Sequence, residues 1–120
     1  MRPATHNLEM VQGDTFRKNL RLSLVDDDAV LIDYIDLTGC TGKAQMRESY
    51  EDPDITAEFV VTVMNQATTK GGVTIYLAPA TTEAIAVKKY VWDLQITNAA
   101  GDVTTYIGGD ATVTNQVTRA

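Results

Sequence analysis

Of the side chains able to do chemistry, the nucleophile and base set is the thinnest: His6 is the single histidine and Cys40 the single cysteine in 120 residues. A Ser-His-Asp or Cys-His arrangement would need a base at His6, in a stretch with no strand or helix pattern to hold it. Cys40 stands between Gly39 and Thr41 with Lys43 as its nearest cation, which suits a half-buried structural thiol rather than an activated thiolate. The acids Asp26, Asp27, Asp28, Asp33 and Asp36 are oxygen donors, yet their spacing lacks the sharp-turn glycine and closing glutamate of a calcium loop and reads as a solvated turn. The pairs Gly71-Gly72 and Gly108-Gly109 fall between strand patterns with no helix start behind them, so they read as turns rather than phosphate cradles. Trp92, Tyr90 and Tyr106 have the chemistry of a sugar-stacking platform, but Trp92 alternates with Leu94 and Ile96 and so reads as core.

These residues must be positioned by strands. Tyr90, Trp92, Leu94 and Ile96 occupy every second position, which sends one large apolar set to one face. Asn98-Ala99-Ala100-Gly101-Asp102 has the composition of a hairpin turn, after which Val103–Ile107 resumes β-rich sequence. Gly108-Gly109-Asp110 predicts a second turn and Ala111–Val117 a third strand, closing the chain as a meander. Upstream, Phe16, Leu20, Leu22 and Leu24 share a face over Thr15–Leu24, interrupted by Lys18. Lys43–Tyr50, Ala57–Val63 and Val73–Leu77 also alternate, and Glu51-Asp52-Pro53-Asp54 is a turn. Pro79 to Ala86 breaks the period of two; a threonine N-cap and Ala-rich composition predict a short helical crossover over 79–86. The expected fold is all-β, an immunoglobulin-like antiparallel sandwich of seven to eight strands, with residues 1–120 as a single domain and 1–6 a flexible lead-in.

Between these strands, Val30-Leu31-Ile32-Asp33-Tyr34-Ile35 is apolar among acids. It is either a strand tucked beneath the sandwich or an exposed anchor in which Val30, Leu31, Tyr34 and Ile35 dock into a neighbouring subunit. The net charge of −6 opposes binding to nucleic acid or to an anionic membrane. No run approaches the roughly 20 apolar residues of a membrane helix. One cysteine and an N-terminus without an apolar signal core fit a reducing cytoplasm, and 44% hydrophobic content fits folding without metal, cofactor or disulfide.

Four segments stand in order: Gln12-Gly13-Asp14-Thr15-Phe16; Asp36-Leu37-Thr38-Gly39 ahead of Gln45-Met46-Arg47; Gly72-Val73-Thr74-Ile75 followed by Pro79 to Ile85; and Tyr90-Val91-Trp92-Asp93-Leu94 running on through Gly109 to Val117-Thr118-Arg119. Together they resemble the small all-β proteins encoded among the tail genes of tailed bacteriophages, similar to the N-terminal module of upper baseplate proteins. That resemblance implies a non-enzymatic virion protein, an adaptor attaching fibres or neighbouring proteins to the tail or baseplate, assembled in the host cytoplasm as a three-fold or six-fold homo-oligomer. The segments to Val11 and from Ala111 are the expected edge strands through which partners would add. A capsid decoration protein, and a host-surface carbohydrate-binding module acting through Trp92 or Tyr106, are the alternatives.

Overall fold

The computed structural model describes residues 4–25, 28 and 31–115. The chain is all-β, as the alternation requires: among the described residues there are ten strands and one short helix. In order these are β1 (Ala4–Thr5), β2 (Leu8–Val11), β3 (Phe16–Arg21), β4 (Ser23–Val25), β5 (Leu31–Tyr34), β6 (Thr41–Arg47), β7 (Ala57–Val63), β8 (Gly72–Leu77), α1 (Pro79–Glu83), β9 (Lys89–Thr97) and β10 (Val103–Thr114). Eight strands make one sheet in the order β1-β10-β9-β6-β7-β8-β3, with β2 also on β10, while β4 and β5 form a separate ribbon.

The sheet folds over itself at β7. Ala57 and Phe59 pair with Met46 and Ala44 of β6, whereas Val60 to Val63 pair with β8, so one strand serves both layers. The space between the layers holds Trp92, Met46, Leu94, Ile75, Val73 and Val113, each essentially without exposure. Phe59 bridges it: its ring lies 5.8 Å from Phe16 and 6.1 Å, edge-on, from Trp92, within the range that favours tilted aromatic pairs. The alternating set Tyr90, Trp92, Leu94 and Ile96 is buried throughout, as its spacing predicts.

Several local expectations are revised. The strand predicted over Thr15–Leu24 is broken at Leu22, whose N–H donates to Gly71 O while its C=O accepts from Ile35 N. The chain thereby leaves the sheet for the ribbon, and Leu24 is 46% exposed rather than inward. The predicted turn at Gly108-Gly109-Asp110 is instead part of a continuous β10, so the expected meander has two strands. The glycines serve a crossing: a Cβ on Gly109 would stand 2.7 Å from His6 O and 2.8 Å from Asn7 Oδ1. The chain between β1 and β2 passes there, with His6 N donating to Gly108 O and Asp110 N donating to Asn7 Oδ1.

It follows that the lead-in is shorter than residues 1–6, since Ala4 and Thr5 pair with Ile107 and Gly108. Both β1 and β2 run parallel to β10, the exceptions to the antiparallel rule among the described pairings. A parallel neighbour needs a long connection, and nearly the whole chain separates these strands. Because β10 is flanked by β9 and by β1 and β2, its end from Ala111 to Thr114 is interior and not an edge. The second edge is β3, and Lys18, between Phe16 and Leu20, reaches solvent there; a lysine on the inward side of an edge strand discourages further strand pairing.

The helix starts at Pro79 after Ala78, with no side-chain cap in place of the threonine cap predicted, and it ends at Glu83, short of residue 86. Thr82 turns inward instead and is fully buried. Its hydroxyl donates to Asp14 O at 2.7 Å and accepts from Gly13 N at 3.1 Å, while Gln12 Nε2 donates to Ile85 O. The Gln12-Gly13-Asp14 turn is thus fastened to the crossover.

Candidate functional site

The ribbon carries the residues singled out between Val30 and Ile35. Val30 lies outside the described residues, and Leu31 opens β5. Tyr34 is half-buried beneath the Arg21 guanidinium, 3.5 Å from its ring centre, a close cation–π stack. Arg21 Nε also donates to Lys70 O, and Lys70 pairs with Asp33 at 2.9 Å. This partner, together with the Tyr34 N–H, holds the Asp33 carboxyl below its ordinary value. Ile35 packs on the core. Tyr34 and Ile35 therefore root the ribbon, while Ile32, 65% exposed, and Leu24, opposite Asp33, expose apolar surface. Of the two readings of this run, the tucked strand describes Tyr34 and Ile35, while Ile32 between Leu31 and Asp33 is left exposed.

The chemistry-bearing candidates are dispersed. His6 contributes its backbone: its carbonyl accepts from Trp92 Nε1 at 2.8 Å. Cys40 is half-buried, its Sγ 4.0 Å from Thr38 O. Asp36 caps Thr38 through both N–H and hydroxyl, which lowers its carboxyl. Asp26 and Asp27 lie outside the described residues, and among the described residues no three His, Cys, Asp or Glu side chains converge on a metal position. Trp92 is buried, and Tyr106, at the irregularity where β10 shifts register against β9, is half-buried against the core. Neither ring is an open platform.

A second surface had no signal in the spacing. On the outer face of β10, β9, β6 and β7 the register aligns Gly108, Asp93, Gln45 and Glu58 in one row, with Gln95 and Lys43 on one flank and Val91 and Arg47 on the other. Two adjoining hollows, of about 240 and 590 Å³, share Tyr50 and Asp93 as walls. Arg47 donates to Asp52 O at 2.9 Å and to Gln45 Oε1 at 3.0 Å, and Gln45 Nε2 passes the chain on to Glu58 at 3.2 Å. This relay fixes the Gln45 amide and ties the loop bearing Tyr50 to the sheet. Asp93 is half-buried, and desolvation raises its carboxyl against the opposing pull of Arg47. No side chain or backbone N–H among the described residues donates to it. A sequence reader meets Asp93 only as a polar spacer between Trp92 and Leu94; its cross-strand neighbours, Gln45 of β6 and Gly108 of β10, lie on either side of it in sequence.

Fold and surfaces together define an all-β protein with a nearly closed sheet, a rooted ribbon exposing apolar side chains, and a polar trough on its outer face. No family model matches the chain, and no curated protein does. Among solved structures it is similar to CopC from Methylosinus trichosporium OB3b, at 12% identity and a TM-score of 0.44, over 87% of this chain and 80% of that one. That is a distant likeness, too low in identity and superposition to define a shared family.

Proposed function

We propose that this chain is a non-enzymatic structural protein of a tailed-phage virion, an adaptor that holds fibres or neighbouring proteins on the tail or baseplate and works without a cofactor. Two things support the reading: the four ordered motifs that resemble upper baseplate modules, and the ribbon. The ribbon is the observation that carries it. Its base is fastened by Arg21, Tyr34, Lys70 and Asp33, while Ile32 is left 65% exposed and Leu24, on the paired strand, 46% exposed. Burying an isoleucine of this kind against a partner contributes roughly 1.5–3 kcal/mol. An anchored arm loses less ordering entropy on docking than a free loop.

The test uses particles propagated with the chain intact and with Ile32→Ser combined with Leu24→Ser. Wild-type protein is expected in purified tails, located by electron microscopy at a fibre or baseplate junction, and the double variant is expected to fold but to be lost from particles. Absence of the wild-type chain from purified particles, or its density on the capsid shell alone, overturns the tail reading.

A further inference from the structure

The trough around Asp93 is built from parts that the assembly role leaves unused. Its floor is rigid, since two ladders of antiparallel pairing hold β9 between β6 and β10, and the Arg47–Gln45–Glu58 relay fixes the wall. Gly108, directly across from Asp93, brings no side chain, so the carboxylate is open on that flank. Four polar side chains at the rim make no hydrogen bond or ion pair among the described residues: the Asp93 carboxylate, which feels Arg47 only through space, the Gln95 amide, the Lys43 ammonium and the Tyr50 hydroxyl. Tyr50 is 71% exposed and lines both hollows.

Charge narrows the occupant. Lys43 and Arg47 on the rim oppose a cationic guest, while Asp93 at the centre and Glu58 at the end of the row oppose an anionic one. What remains is a neutral guest with several hydroxyl groups and an apolar face. A carboxylate accepts from a pair of hydroxyls, an amide both donates and accepts, and an exposed phenol ring covers the C–H face of a pyranose. We infer that the outer face of β6 and β9 is a saccharide-binding subsite for a neutral hexose unit, with Asp93 and Gln95 bonding its hydroxyls and Tyr50 lying against its ring. This goes beyond the adaptor role and stands without it. It also relocates sugar recognition away from Trp92, which the core encloses, and Tyr106, which packs half-buried against it.

The full chain, labelled with nitrogen-15, is titrated by amide NMR with glucose, galactose and N-acetylglucosamine, and separately with methylammonium and sulfate as charged probes. Expected is saturable shifting by at least one sugar, confined to amides of residues 43–50, 91–95 and 105–110, with affinity reduced about tenfold or more in Tyr50→Ala and in Asp93→Asn. Tyr50 is exposed and unpartnered, so its truncation leaves the fold intact; should Asp93→Asn not fold, Tyr50→Ala alone decides. The inference is overturned if no sugar gives saturable shifts up to about 100 mM, if shifts survive unchanged in the folded variants, or if a charged probe binds the trough more tightly than any sugar.

Discussion

The indole N–H of Trp92 donates to the backbone carbonyl of His6 at 2.8 Å, joining the centre of the core to the chain between β1 and β2 across 86 positions of sequence. Through that bond the most buried aromatic residue also sets where the N-terminal strands lie. It explains why two strands at opposite ends of the chain, β2 and β10, can pair in parallel.

Trp92→Phe should therefore cost about 2–4 kcal/mol: a cavity where the larger ring stood plus an unpaired carbonyl at His6. Urea denaturation reads the loss. Faster amide exchange over residues 6–11 than over β7 and β8 would show that the pin, and not only packing, has gone.

The two central glycines of β10 should respond differently to an added methyl group. A Cβ on Gly109 meets His6 O and Asn7 Oδ1 at under 3 Å, whereas on Gly108 the nearest atom is Trp92 O at 3.4 Å. Gly109→Ala should destabilise by about 1–3 kcal/mol and Gly108→Ala by less than about 1. Equal effects would mean that the crossing segment yields without cost.

Thr82 is a hub whose value lies in its hydroxyl. Thr82→Val keeps the shape but removes the buried hydroxyl that Gly13 N–H and Asp14 C=O bond at this part-buried junction, a loss of about 1–2 kcal/mol. Thr82→Ser, which keeps the oxygen, should recover most of it in thermal melts. If Val and Ser are equally tolerated, the turn and crossover are not coupled through this bond.

The strands were legible where one face is buried along their length. Tyr90 to Ile96 and Ala57 to Phe59 alternate because the pleat alternates, and burial follows. The glycine pair in β10 was misread because its signal is the same for a turn and for a close backbone crossing; only the presence of His6 and Asn7 overhead distinguishes them. Leu24 was misread because a break in hydrogen bonding at Leu22 reverses nothing in the hydropathy pattern. The ribbon's place was marked by its apolar run, but the covering of Tyr34 by Arg21 depends on a residue thirteen positions earlier. The trough was invisible, since it is assembled from register among β6, β7, β9 and β10 rather than from any local motif.

Arg21 should hold the ribbon to the sheet. Arg21→Ala removes the stack on Tyr34 and the bond to Lys70 O, with an expected loss of about 1–2 kcal/mol. Arg21→Lys cannot reproduce both the planar stack and the Nε bond, so it should restore only part. Exchange at β5 amides should rise in both variants while β9 remains protected; a uniform change across the sheet would place the effect in the core instead.

The pH dependence of Asp93 has a definite sign. Desolvation raises its carboxyl in the folded chain, so the folded state binds this proton more tightly than the unfolded one. Its ionisation therefore takes stability away as pH rises from the unfolded value near 3.8 through the higher folded value, and the loss is complete above that. Asp33 and Asp36 act oppositely: both are lowered, and they contribute stability above their unfolded values that is lost as pH falls through their folded ones. Comparing Asp93→Asn with wild type cancels those shared contributions. The variant should melt at a higher temperature than wild type at pH 7, with the gap closing as the pH is lowered below about 4, where the wild-type carboxyl is protonated and nearly isosteric with the amide. A variant that is less stable at pH 7 would mean that attraction to Arg47 outweighs desolvation, and that the carboxylate in the trough is held by its neighbour rather than left open for a guest.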